Sequence, residues 1–279
     1  MLADVAPIGR HTIAAFDAAG GLQEVLRRLA EPTATPADRD EPAHRTPADG
    51  RTSARRSPAG RQAIRDVADP VTEQPALVVL RGNLAPDGAI LKAAAGRPEL
   101  LRHTGPAVVF HGYADLLARI DDPGLDVTAD SVLVLTGCGP RGGDGFPEWG
   151  LLPTPTKLAG QGVRDMVRIS DARMSGTSFG ICILHVAPEA AVGGPLAVVR
   201  DGDLVTVDID RRSLDVAVPA AELARRLAER EQPAEVHRRG WPALYAAHVL
   251  QAPEGADLDF LRPRTADELR FVDPVVGRS

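Results

Sequence analysis

The sequence predicts a mixed α/β domain whose sheet curls into a barrel-like form. Three observations carry that prediction. Eight short apolar runs recur between residues 76 and 218, few helical stretches separate them, and 27 glycines and 24 prolines in 279 residues supply many turns. A doubly wound parallel sheet would need a helix after nearly every strand.

The elements follow in chain order. In residues 1–30, Leu22, Val25 and Leu29 recur at i, i+3 and i+7 after the breaker Gly20 and Gly21, and Leu26 widens that apolar face. This predicts a helical stub. Residues 31–75 hold seven prolines, seven arginines, no aromatic residue, and only Ile64, Val67 and Val71 as large aliphatics. Such a segment buries too little apolar area to offset its ordering entropy, so it reads as a flexible linker. The alternative is a basic arm touching an anionic partner. The compact domain is expected over 76–262. Its candidate strands are residues 76–80, 107–111, 131–135, 166–169, 179–187, 196–200, 204–209 and 214–218. Val205, Val207 and Ile209 alternate with Thr206 and Asp208, as in a half-buried strand. Asp201 and Gly202 between two such runs predict a hairpin. Tyr113, Leu116, Leu117 and Ile120 predict one amphipathic helix, and residues 220–231 and 241–251 two more. No internal repeat is apparent, and the tail 263–279 reads as loose.

Composition excludes several classes. The hydrophobic fraction of 44% and charged fraction of 25% are those of an ordinary globular chain. A net charge of −6 argues against a general nucleic-acid binder. Two cysteines make no disulfide framework, so a reducing compartment is expected. Residues 1–16 lack a basic region followed by an apolar one, and no apolar run approaches the ~20 residues of a membrane helix. The expected location is the cytoplasm.

Three stretches could carry chemistry. Residues 137–150, Gly-Cys-Gly-Pro-Arg-Gly-Gly-Asp-Gly-Phe-Pro-Glu-Trp-Gly, follow a predicted strand and hold six glycines. Such a loop lets backbone N–H groups approach an anion. Glu148, between Pro147 and Trp149, is a carboxylate placed to meet a hard cation. The bland alternative is a surface turn with a solvated glutamate. Residues 168–180 crowd Asp171, Arg173, Ser175 and Thr177 into one loop, with Ser175 before Gly176. A serine nucleophile or base needs a partner base, a metal or a positive field. No histidine lies in that loop and no Gly-x-Ser-x-Gly elbow is present, which disfavours a hydrolase triad. A hydrogen-bonded polar turn is the alternative. Asn83, in Arg-Gly-Asn-Leu-Ala-Pro-Asp-Gly at 81–88, stands at a strand end and either makes a turn or faces a substrate. His185, in an apolar strand, reads as a satisfied core histidine, and Cys138 and Cys182 as structural.

Four strings in order carry a resemblance. They are Arg-Gly-Asn-Leu-Ala-Pro-Asp-Gly-Ala at 81–89, Gly-Phe-Pro-Glu-Trp-Gly at 145–150, Ser-Asp-Ala-Arg-Met-Ser-Gly-Thr-Ser-Phe-Gly at 170–180 and His-Val-Ala-Pro-Glu-Ala-Ala-Val-Gly-Gly-Pro at 185–195. Together they resemble the dihydroxy-acid and phosphogluconate dehydratase family. The wording at 170–176 and His-Val-Leu-Gln-Ala-Pro-Glu-Gly-Ala-Asp-Leu-Asp-Phe-Leu at 248–261 look most like the sugar-acid (aldonate) branch. The resemblance implies a swivelling β/α-barrel C-terminal domain and a hydro-lyase that converts a 2,3-dihydroxy or sugar acid to a 2-keto-3-deoxy acid. It implies Mg²⁺ with Glu148 as a ligand, and Ser175, as its alkoxide, as the base. Asp171, Arg173 and Thr177, as neighbours of Ser175 in its loop, and Asn83, at its strand end, are the further candidates to meet substrate. It also implies an iron–sulfur cluster whose ligands this chain lacks. Glu148 and Ser175 stand 27 residues apart, as in the family. Family members are about twice as long, and residues 1–30 resemble the end of their N-terminal half. The resemblance therefore implies a site completed by a missing half or a homologous subunit. The alternatives are an inactive truncated domain that binds a sugar acid or a partner, or a truncated product with no retained function.

Overall fold

The computed structural model describes residues 1–6, 8–33, 60–72, 75–148, 152–175, 179–231 and 239–262. The chain divides into two units, Met1–Leu77 with Lys92–Ala95, and Val78–Leu91 with Gly96–Ser279.

The smaller unit holds α1 (Ile13–Ala18), α2 (Gly21–Thr33) and the single turn α3 (Gly60–Ala63). Thr12 caps α1 by accepting the Ala15 N–H at 3.2 Å. Gly20 and Gly21 both take positive φ and separate α1 from α2, so the predicted single helix is two. Ala19, Ala63 and Ile64 form the core, with Phe16 and Val25 against them. The expected apolar face of α2 is thus only partly used: Val25 packs inward, whereas Leu22, Leu26 and Leu29 stand exposed. The linker expected over 31–75 needs a correction at its end. Residues 60–72 belong to this unit: Ile64 is fully buried, and Arg65 and Val71 donate their N–H groups to the carbonyls of Leu2 and Met1. Residues 34–59 and the tail 263–279 lie outside the described residues.

The larger unit is one eight-stranded sheet. Its strands are β1 (Val78–Leu80), β2 (Gly88–Leu91), β3 (Arg102–His111), β4 (Val132–Thr136), β5 (Arg168–Ser170), β6 (Cys182–Ala187), β7 (Leu204–Asp208) and β8 (Ser213–Val216), in the order β1-β2-β6-β5-β4-β3-β7-β8. The central β3-β4-β5-β6 pairs are parallel, and the outer pairs are antiparallel. Every residue of β4 and β5 is buried, as expected where parallel strands are covered on both faces. The two ends of the sheet meet. Arg81, just after β1, donates to the Arg212 carbonyl at 2.9 Å and accepts the Leu214 N–H at 3.0 Å, which curls the sheet into the expected barrel-like form. α4 (Gly112–Arg119) closes one face: Leu116 and Ile120 join Phe110, Leu133, Leu135 and Met166 in the core. α5 (Thr156–Gly160), α6 (Ala220–Ala228) and α7 (Gly240–His248) complete the unit, the last two where predicted.

Two expectations need correction. The predicted strand 196–200 is a 3-10 turn, Pro195–Val198. Pro195 opens it, and a proline at a first helical position loses no needed hydrogen bond. Asp201 and Gly202 therefore make no hairpin. They lock the turn onto β3 instead, Asp201 Oδ1 accepting the Val109 N–H at 2.6 Å and Gly202 donating to the Ala107 carbonyl at 2.9 Å. The eighth strand is β2, which carried no strand expectation and shares only Gly88 with the stretch 81–88 considered as a turn.

Candidate functional site

The parallel strands deliver the two predicted loops side by side. The glycine-rich loop follows β4, and the Ser175 loop follows β5. Strand ends in α/β sheets are where ligand-facing loops gather.

Two buried carboxylates shape the glycine-rich loop from within. Asp171 has no exposed surface and accepts N–H groups from Gly137 at 3.1 Å, Cys138 at 2.9 Å and Ala190 at 3.0 Å. Burial pushes its carboxyl up to about 6, the neighbouring Glu189 charge adds to the rise, and the three N–H donors oppose it. Glu189 is also buried and accepts the N–H groups of Arg141 at 2.8 Å and Gly142 at 2.9 Å. Gln251 closes the arrangement reciprocally, donating to Glu189 at 2.7 Å and accepting the Glu189 N–H at 3.0 Å. Gly139 is required here: a Cβ at that position would lie 2.4 Å from Glu189 Oε2.

The exposed side of the loop carries Glu148. Its half-exposed carboxylate lies 3.1 Å from Arg173 Nη1, while Arg173 Nε donates to the Phe146 carbonyl at 2.8 Å. Arg173 thereby joins Glu148 to the loop of Ser175, across 27 residues of sequence. Ser175 is half-buried. The preceding residue, Met174, donates its N–H to His185 Nε2 at 2.9 Å. Phe146 meets the His185 ring edge-on at 5.5 Å, and both residues take positive φ, 54° and 56°.

Of the residues predicted near substrate, Arg173 lies beside Glu148, and Asp171 lies beneath the glycine-rich loop. Thr177, Trp149 and Gly150 lie outside the described residues. Asn83 stands apart from Glu148 and Ser175 in its bonding. Its amide donates to the Val216 carbonyl at 2.8 Å and accepts the Val216 N–H at 2.7 Å, so both ends serve the barrel seam. His185 is satisfied, as the sequence reading had it, although by a backbone donor from the Ser175 loop. Glu189 and Gln251 were not singled out in the sequence. The one available signal was a lone carboxylate between His185 and Pro195 in an otherwise apolar run. A cleft of about 180 Å³ adjoins the loop, lined by Arg141, Asp144, Trp241 and Tyr245 among others.

The chemistry of the donors decides which groups they suit. Glu148 offers an exposed carboxylate oxygen, which suits one position around Mg²⁺. Among the described residues, no group of three or more His, Cys, Asp or Glu side chains converges on a metal position, so the further ligands are not supplied there. The residues do not suit an iron–sulfur cluster. Cys138 and Cys182 are only two thiols, both buried and not disulfide-bonded, and burial, with the Asp171 charge, pushes the Cys138 thiol up to about 12.

Over 202 residues the chain is 54% identical to the 6-deoxy-6-sulfo-D-gluconate dehydratase of Pseudomonas putida, covering 71% of this chain and 35% of that protein. It is 46% identical over 270 residues to the L-arabonate dehydratase of Azospirillum brasilense, covering 93% of this chain and 46% of that protein. It is 36% identical over 259 residues to the dihydroxy-acid dehydratase of Acetivibrio thermocellus, covering 92% of this chain and 46% of that protein. The chain thus spans less than half the length of these relatives. Residues 62–256 match the family described as dihydroxy-acid/6-phosphogluconate dehydratase C-terminal, and the chain belongs to that family.

Proposed function

We propose that the chain supplies the serine-bearing part of a hydro-lyase site, which converts a 2,3-dihydroxy or sugar acid to a 2-keto-3-deoxy acid. The observation that carries this reading is the Arg173 bridge between Glu148 and the Ser175 loop, at 3.1 Å. It supports one site built from both loops.

The reaction removes a proton from carbon 2 and hydroxide from carbon 3, and a further proton completes the departing water. The resulting enol becomes the 2-keto group. Ser175 Oγ, as the alkoxide left once its own proton has passed to solvent, takes the carbon-2 proton and returns to the neutral hydroxyl. Serine is a weak base unless a positive field or a metal acts on it, and Arg173 brings a cation into the same loop. Arg173 orients the substrate carboxylate, while Glu148 offers one oxygen that would serve Mg²⁺. When bound, Mg²⁺ stabilises the negative charge that grows beside carbon 2. No step is assigned to an iron–sulfur cluster on this chain. The remaining ligands are assigned to a further segment or subunit, in keeping with the greater length of the relatives. The two buried thiols, not joined in a disulfide, support a reducing, cytoplasmic setting. None of the helices among the described residues is long and apolar enough to cross a membrane.

The test is product formation from a panel of sugar acids by the chain complemented with the missing part of the site, with Mg²⁺ and without oxygen. Ser175→Ala is expected to lower turnover by about 10²–10⁴-fold with an unchanged thermal midpoint. Full activity in that variant would remove Ser175 from the mechanism. A second reading is an inactive domain that binds a sugar acid or a partner subunit. The lack of a three-ligand group among the described residues favours it. It predicts calorimetric binding of a sugar acid with no product under any condition.

A further inference from the structure

We propose that His185 is the positioning residue of the Ser175 loop, acting as a two-point tie from β6. The inference rests on the reading of Ser175 given above. It begins with an irregularity of the sheet. Gly88 on β2 pairs with Ala187 on β6, yet Ile90 pairs with Leu184, so two steps on β2 face three on β6. β6 therefore carries a bulge, the device by which a strand gains one residue and re-aims a side chain.

His185 is the left-handed residue of that bulge, with φ 56°. A non-glycine residue holds such a conformation where its surroundings over-determine it, and histidine is among the types that tolerate it. Two hydrogen bonds supply the constraint, and both reach the same loop. The His185 N–H leaves the ladder and donates to the Ala172 carbonyl at 2.9 Å. Its Nε2 accepts the Met174 N–H at 2.9 Å, one residue before Ser175. A backbone N–H can only donate, so Nε2 carries no proton and the neutral ring is the Nδ1–H tautomer. Phe146 of the glycine-rich loop covers the ring edge-on at 5.5 Å. Burial, with the Arg173 charge from the Ser175 loop, holds the imidazole below its ordinary pKa and keeps it an acceptor. Phe146, which meets the ring, and the strand neighbours Leu184 and Val186 are uncharged. Regular β6 geometry would send this side chain across the sheet. The bulge turns it toward Met174, and the backbone beside Ser175 is fixed as a result.

Two variants separate the side chain from the backbone. His185→Asn tolerates the left-handed φ but is too short to reach Met174, whereas His185→Gln places an oxygen near the position of Nε2. In the full chain, the Met174 amide is expected to exchange with deuterium about tenfold faster in the Asn variant, with β4 amides unchanged. The Gln variant should restore protection. The wild-type imidazole ¹⁵N spectrum should show an unprotonated Nε2 at neutral pH. Protection of Met174, corrected for intrinsic exchange, should fall on acidification in the wild type and not in the Gln variant. An Nε2–H tautomer, wild-type exchange in the Asn variant, or no rescue by Gln would overturn the proposal. None of these readouts passes through turnover. Activity surviving Ser175→Ala would therefore end the reading of Ser175 and leave the tie from His185 standing.

Discussion

Asp171 is a buried carboxylate whose place in the fold sets a pH dependence with a definite sign. Its folded value is about 6, against about 3.9 for an unfolded aspartate. The folded chain therefore holds more protons than the unfolded chain between those values. The stability from this group is full below about pH 4 and is lost as pH rises through about 6. Asp171→Asn removes that titration. It also turns an amide N–H₂ toward backbone N–H groups that now meet an acceptor, at a cost of about 1–3 kcal/mol. Thermal midpoints from pH 4 to 7 are expected to show the wild type's advantage over Asp171→Asn growing as pH falls. A constant difference would contradict the assignment. At this scale the two loops were legible in the sequence: their glycine, serine and arginine content marks the stretches that hold Glu148 and Ser175. The supporting groups were not. A histidine or glutamate whose hydrogen bonds go to backbone has the same letter whether it fills a core or holds a loop. The partners of His185 and Glu189 arrive from residues 11 and 62 positions away.

Among the elements, the seam between β1 and β8 is the weak point of a barrel-like sheet. Asn83 imitates a strand there, donating to and accepting from Val216 across 133 residues. Asn83→Ala leaves the Val216 N–H and carbonyl without that partner, and is expected to cost about 1–3 kcal/mol of stability. Urea denaturation monitored by circular dichroism checks it. A loss below a few tenths of a kcal/mol would show that water replaces the amide. Seven of the eight strands were legible because each holds aliphatic residues in a short run, as in β4, or in alternation, as in β7. The failures share a physical cause. β2 begins in Gly88, at φ 115°, and its Gly-Ala-Ile-Leu is short enough to read as the end of a turn. The run at 196–200 has strand-like side chains, but Gly193, Gly194 and Pro195 set its backbone. Local glycine and proline geometry overrode the side-chain pattern in both places.

At the scale of the molecule, the chain belongs to a dehydratase family yet spans less than half the length of the relatives compared. Its larger unit carries the two loops and the carboxylates that support them. Its metal donors among the described residues fall short of a complete set. The resemblance in the sequence reached the family because four separate strings fall in order, and the fold then placed two of them, around Glu148 and Ser175, against one another. The central claim is that this junction is a half-site whose serine is the base. The most direct measurement is 2-keto-3-deoxy product from sugar acids, assayed anaerobically with Mg²⁺. The chain would be tested alone and with the N-terminal part of the Azospirillum brasilense L-arabonate dehydratase supplied as a separate polypeptide. The account predicts no product from the chain alone, product on complementation, and its loss in Ser175→Ala. Product that persists undiminished in Ser175→Ala, or none on complementation, would contradict it.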